Sequence, residues 1–217
     1  SFQRTGGDFW VHYVEVCTEN GCWTSVGNSF KSAGLSAVIT TALAFLLAYT
    51  VHYTNLPKPL KKLIHGGAVL PMLLPTITYG YAIIYSFGKQ GLITRLLGHQ
   101  LFDIYGFTGL LLGYVIYTLP VSFLLIHNTM GYIDKKFMVV SRIMGDGGMK
   151  TFWITIIRPL LGTLAAAFVQ CFFLSFTDFG IPASVGGQYE VVASVLYDEM
   201  LGSLPDFNNG AVVAMVM

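Results

Sequence analysis

The sequence predicts an all-α fold, a polytopic bundle of membrane-spanning helices. Three observations lead there. Hydrophobic residues make up 54% of the 217-residue chain and charged residues only 11%, at a mean hydropathy of +0.64, whereas soluble domains carry about 25% charged residues. Four long stretches contain no Asp, Glu, Lys or Arg, and each is near the roughly 20 residues a helix needs to cross a ~30 Å hydrocarbon core. The basic residues, finally, concentrate in the connections on one side of those stretches.

Residues 1–31 are polar with scattered aromatics, Phe9, Trp10, Tyr13, Trp23 and Phe30, a composition that suits a segment at or above a membrane interface. Cys17 and Cys22 flank Thr-Glu-Asn-Gly, and Asn-Gly favours a tight turn; a disulfide in an oxidising compartment and two free thiols both fit that spacing. The predicted spans are 32–51, 66–87, 104–126 and 159–177, with a fifth beginning near 210. With the connection 127–158 they form one domain, 32–217. Pro71, Pro75 and Pro120 lie within spans, where kinked or broken helices are expected. Gly109, Gly113 and Tyr117 recur every four residues on one face, favouring close helix packing, and Cys171, alone in the fourth span, reads as a small buried apolar residue. The chain opens at Ser1 and stops inside the apolar run 211–217, so it reads as a piece of a longer protein without a cleavable signal.

Orientation follows from the basic residues. The connections 52–65 and 127–158 hold Lys58, Lys61, Lys62, Lys135, Lys136, Arg142, Lys150 and Arg158, against Arg4, Lys31, Lys89 and Arg95 on the other side. The first group is therefore expected on the cytoplasmic face, with residues 1–31 extracytoplasmic. A formal charge of +1, without basic residues interleaved with stacking aromatics, excludes a nucleic-acid partner. No paired catalytic side chains or metal-spaced His/Cys/Asp set stands out, and Asp146-Gly147-Gly148 lacks the Lys-Ser/Thr of a phosphate-binding loop. The chain is thus expected to be neither an enzyme nor a binder of its own cofactor. The spans also lack the buried ionisable groups of ion-coupled transporters; His52, His65 and His127 sit at span ends. Such helices need an external source of work.

The connection 127–158 is too long to be a simple turn. Phe137-Met138-Val139-Val140-Ser141-Arg142-Ile143-Met144 reads as a short amphipathic helix. Gly145 and Asp146-Gly147-Gly148 then permit a sharp turn, a second short helix runs from Met149 to Ile157, and Pro159 opens the next span, where its missing N–H is harmless.

A helix, a glycine elbow and a second helix between two spans resemble the cytoplasmic coupling loop of binding-protein-dependent ABC importer permeases. Gly145 takes that family's glycine, Arg142 a commonly basic position, Thr151-Phe152 a common pair and Pro159 the closing proline. Val139-Val140-Ser141 stands where the family carries Glu-Ala-Ala, and the interval from Gly145 to Pro159 is one position longer than the family pattern. Thr177-Asp178-Phe179-Gly180, with Gly186-Gly187 beyond it, is similar to a segment of the ferric-iron group.

The resemblance implies a methionine-importer-like, type I permease domain in a bacterial inner membrane. It implies as partners two cytoplasmic ATP-binding subunits, which hold the ATP, a second permease module, fused or separate, and an extracytoplasmic substrate-binding protein. It places ATPase coupling at Val139, Val140, Ser141, Arg142, Gly145, Asp146, Thr151, Phe152 and Pro159, with the apolar face of Phe137, Met138, Val140, Ile143 and Met144 docking in a groove. A helix lying on the inner leaflet is the alternative for that segment. Ferric iron, a phosphonate or a polyamine is the implied solute. Thr76, Tyr79 and Gln170 either line the solute path or join helices by hydrogen bonds, and Asp178 either serves the path or caps the next helix. A gated channel or facilitator without an ATPase is the competing class.

Overall fold

The structure, a computed structural model, describes residues 22–202 and 207–216. Cys17 and the side chain of Cys22 lie outside what it describes. All regular structure among the described residues is helical: α1 (Cys22–Tyr53), α2 (Lys58–Val69) running into a 3₁₀ turn (Leu70–Leu73), α3 (Thr76–Phe87), α4 (Leu92–Leu97), α5 (Phe107–Gly131), α6 (Lys136–Ile143), α7 (Gly148–Phe152), a π-helical turn (Trp153–Ile157), α8 (Arg158–Phe176), α9 (Gly180–Val185), α10 (Val192–Leu201) and α11 (Phe207–Val216). Among the described residues, three uninterrupted stretches are long and apolar enough to cross a membrane, Trp23–Tyr53, Phe107–Gly131 and Gly148–Phe176.

Several boundaries differ from the sequence-based expectation, each for a physical reason. Residues 22–31, expected ahead of the first span, are already helical. Their polar residues misled because Ser25, Ser29 and Ser32 are buried, and Ser32 returns its hydroxyl to the Asn28 carbonyl at 2.9 Å. The stretch 66–87 is not one helix. Proline forces the preceding residue out of helical geometry, and the course breaks at Leu74-Pro75, where Pro75 is extended (φ −62°, ψ 149°) ahead of α3. The helix within the third predicted span starts at Phe107, after Gly106 turns at φ +100°. Pro120, by contrast, interrupts nothing: α5 runs through it.

The described residues form two compact units, one within Ser1–Leu35, Leu74–Tyr114 and Leu174–Met217, the other of Ser36–Leu73 and Val115–Phe173. In the first, α3 and α9 approach closely because glycines face small side chains. A Cβ added at Gly80 would sit 1.6 Å from Ser184 Oγ, and one at Gly180 would sit 2.2 Å from Thr76 Oγ1. A Cβ at Gly113 would meet Ile181 at 2.6 Å. The start of α1 joins the segment before α10: Asn28 donates to the Glu190 carbonyl (3.0 Å), and Ser29 Oγ accepts the Val192 N–H (2.9 Å).

In the second unit, Ala44, Ala48, Ala68, Phe123, Ile126, Met130, Ile156, Leu160 and Ala167 form the core. Small hydroxyls join its helices. Thr40 and Thr118 pair at 3.1 Å, Ser122 and Cys171 at 2.7 Å, and Thr163 donates to Thr129 at 3.3 Å. Bonds of this kind contribute about 0.6 kcal/mol on average in membrane helices; their main effect is to let backbones approach. Cys171 is fully buried with a free thiol.

The α3–α9 contact yields a test. Gly80→Ala is expected to destabilise the protein by about 1–3 kcal/mol, and Ser184→Gly in the same chain to recover part of the loss, read by thermal unfolding in detergent. Parental stability in G80A would show that the helices do not meet there.

Candidate functional site

The site is built on the connection between α5 and α8. α6 ends at Ile143, and Gly145 takes φ +86°, a conformation that L side chains adopt only at a penalty. No atom lies within 4 Å of a Cβ added there, so the backbone alone demands glycine. The elbow closes with the Asp146 N–H donating to the Ser141 carbonyl at 3.1 Å and the Gly145 N–H to Arg142 at 3.0 Å.

Ser141 then locks the two short helices together. It is buried, donates to Asp146 Oδ2 at 2.7 Å, and lies 3.1 Å from Thr151 Oγ1. Lys150 completes the lock with a 2.6 Å ion pair to Asp146 Oδ1. The Lys150 ammonium and the Ser141 hydroxyl hold the Asp146 carboxyl below the usual carboxylate range. Beyond α7 the helical course continues through the π turn directly into α8, so the elbow is rigid at its exit as well.

The connection has two faces. Met138 and Phe152 turn inward onto the core, and Phe152 meets Phe45 and Tyr49 edge-on at 6.3 and 5.8 Å. Met138, expected on the docking face, therefore packs on the core, whereas buried Ser141 and Thr151 bond to each other across the two short helices. Val139, Val140, Arg142 and Pro159 are exposed, with Phe137, Ile143 and Met144 beside them. Ile143 and Met144 keep 80% and 78% of their surface open. A groove of about 610 Å³ runs along this face, walled by Phe137, Val140, Met144, Ile154 and Pro159.

The residues considered for a solute path divide. Thr76 and Asp178 come together in the first unit, where buried Asp178 accepts the Ile181 N–H at 2.9 Å and a bond from Thr76. Asp178 thus satisfies an N–H in the first turn of α9, where Phe179 stands at the N-cap. Tyr79 is buried and donates to the Leu74 carbonyl at 3.3 Å. Gln170 is exposed on α8 in the other unit.

Sequence reasoning missed one cluster. His52, His65 and His127, read as separate boundary residues, converge: His52 Nε2 lies 3.1 Å from His127 Nδ1, and the His65 and His127 rings are 5.1 Å apart. Their separations in sequence carry no signal of this. Among the described residues, no group of three or more His, Cys, Asp or Glu is arranged to hold a metal ion.

Membrane-length helices joined by a glycine elbow with an exposed apolar face define an all-α module of membrane-spanning character. Residues 28–217 match the model of the family described as binding-protein-dependent transport system inner membrane component. The chain belongs to that family, a group of membrane transport components. It is 25% identical over 197 residues to the ferric transport system permease protein FbpB of Actinobacillus pleuropneumoniae, covering 88% of this chain and 28% of that one. To the molybdenum transport system permease protein ModB of Escherichia coli K12 it is 25% identical over 186 residues, covering 81% and 78%. It thus spans about a third or less of the length of its ferric relatives. Among solved structures, a bacterial ABC transporter that imports alginate matches with a TM-score of 0.75 at 11% identity, covering 98% of this chain and 79% of that one. The MetNI methionine transporter matches at 0.62 and 13%, covering 97% and 90%. The fold is that of ABC-importer permeases, in keeping with the methionine-importer-like expectation.

The Asp146 geometry carries a pH dependence with a definite sign. A carboxyl held low in the folded state contributes stability above its unfolded value, about pH 4, and loses it as pH falls through the folded value. Hydrogen exchange at residues 144–150 is expected to stay slow at neutral pH and to quicken, beyond the intrinsic effect of pH, only in strong acid. Asp146→Asn should remove that step; an unchanged acid profile would show that the carboxylate does not hold the elbow.

Proposed function

We propose that the chain is the larger part of one permease module of an ATP-driven importer, and that the connection between α5 and α8 receives the cytoplasmic ATPase subunits. The observation that carries this is the pairing of a locked elbow with an exposed apolar face. Phe137, Val140 and Met144 line a groove, while Met138 and Phe152 pack against the core and the Ser141–Thr151 pair ties the two short helices to each other. A helix meant only to float on lipid has no use for such pinning. A lever does.

In this reading the α6 face docks in a groove on the nucleotide-binding subunit, and closure of two ATPase subunits moves the elbow as a rigid body. The basic connections face the cytoplasm, and the N-terminal segment lies outside. A second module, fused or separate, completes the pathway, and an extracytoplasmic binding protein delivers solute. Relatives named for ferric and molybdenum transport support a small charged or polar solute, with ferric iron as our first choice.

Gly145→Val provides the test, in the full protein with its ATPase. A β-branched residue at φ +86° is strained by about 1–2 kcal/mol without a steric clash, so membrane insertion should persist while solute uptake separates from ATP hydrolysis. Parental uptake in G145V would overturn the lever.

A further inference from the structure

A second cavity, of about 360 Å³, lies where the end of α1 and the start of α2 meet α6. Its walls are chemically one-sided: Lys61, Lys135 and Arg142 line it beside Asn55, Tyr53 and Met138, with no acidic residue among them. We propose that this cavity binds the phosphate headgroup of an anionic lipid, with an acyl chain lying against the apolar wall.

Four observations converge. Lys135 donates to the His52 carbonyl at 2.6 Å and lies 5.4 Å from the Tyr53 ring, so it satisfies the carbonyl end of α1 and keeps donors to spare. Among the described residues, no ion pair or hydrogen bond engages the side chains of Lys61 and Arg142, which leaves uncompensated positive charge around one concavity. Tyr53, whose hydroxyl is buried without a partner, stands at the last residue of a membrane-length helix, the level at which tyrosine and lipid headgroups meet. Basic pockets at that depth between helices are suited to phosphate headgroups. Met138 supplies apolar surface in the same cavity, which a free anion would not use. The inference depends on the chain being embedded in a membrane and not on the ATPase reading. A bound lipid would brace α6 against α1 and α2.

The test is native mass spectrometry of the full-length protein released from detergent and titrated in parallel with phosphatidylglycerol, phosphatidylcholine and inorganic phosphate. Phosphatidylglycerol should be retained preferentially, with Lys61→Gln weakening retention roughly fivefold, as expected for one interfacial charge. Lys61→Arg should restore it. Lys62→Gln, on the same helix but outside the cavity, should change nothing. Equal retention of phosphatidylcholine, or an equal loss in K62Q, would reduce the effect to diffuse charge and overturn the site. Inorganic phosphate binding as tightly as the lipid would overturn the lipid as ligand, and so would K61Q retaining lipid while losing a co-purifying ATPase subunit.

Discussion

Hydrocarbon offers a backbone nothing to bond to, and this constraint governs the rest of the structure. Each peptide group in a span must be satisfied by its own helix, so the charge-free stretches become helices and irregular backbone needs local help wherever it occurs. At the three main interruptions that help is visible. The Tyr79 hydroxyl reaches the Leu74 carbonyl at the proline break. The Gly106 N–H reaches Val185 ahead of α5. Asp178 accepts the Ile181 N–H where α8 gives way to α9.

The same constraint explains why contacts rely on small residues. Lipid tails are as apolar as leucine, so helices gain little by hiding large side chains from them and more by bringing backbones together. α1 buries Ser25, Ser29, Ser32, Ser36, Thr40, Ala44 and Ala48 along one stripe while Leu35, Val38, Leu43 and Leu46 stay exposed. A composition that in a soluble protein would mark a surface here marks an interface. The loop follows the same pattern, with Ser141 and Thr151 buried while Phe137, Ile143 and Met144 stay exposed.

This inversion also explains which parts of the fold were legible in the sequence. The all-α class followed from runs without charge, and the elbow from a glycine whose conformation no other residue adopts cheaply. Three features were hidden. The first turns of α1 look polar because serine is polar, yet serine bonded back to its own helix packs like alanine. The split of 66–87 was foreshadowed by two prolines, but nothing local distinguishes Pro75, which breaks a helix, from Pro120, which does not. Met138 shares its helix with the exposed residues, and only contact with the core assigns it inward. The histidine cluster joins positions far apart in sequence, beyond the reach of spacing arguments.

The π-helical turn at Trp153–Ile157 bears on the interval from Gly145 to Pro159, one position longer than the family pattern. A wider turn takes up one more residue than an α-helical turn over the same arc. Under that resemblance, the extra position would be absorbed as a local bulge instead of being propagated as a twist. Side chains ahead of the bulge and side chains behind it keep the angular phase they would have had without the insertion.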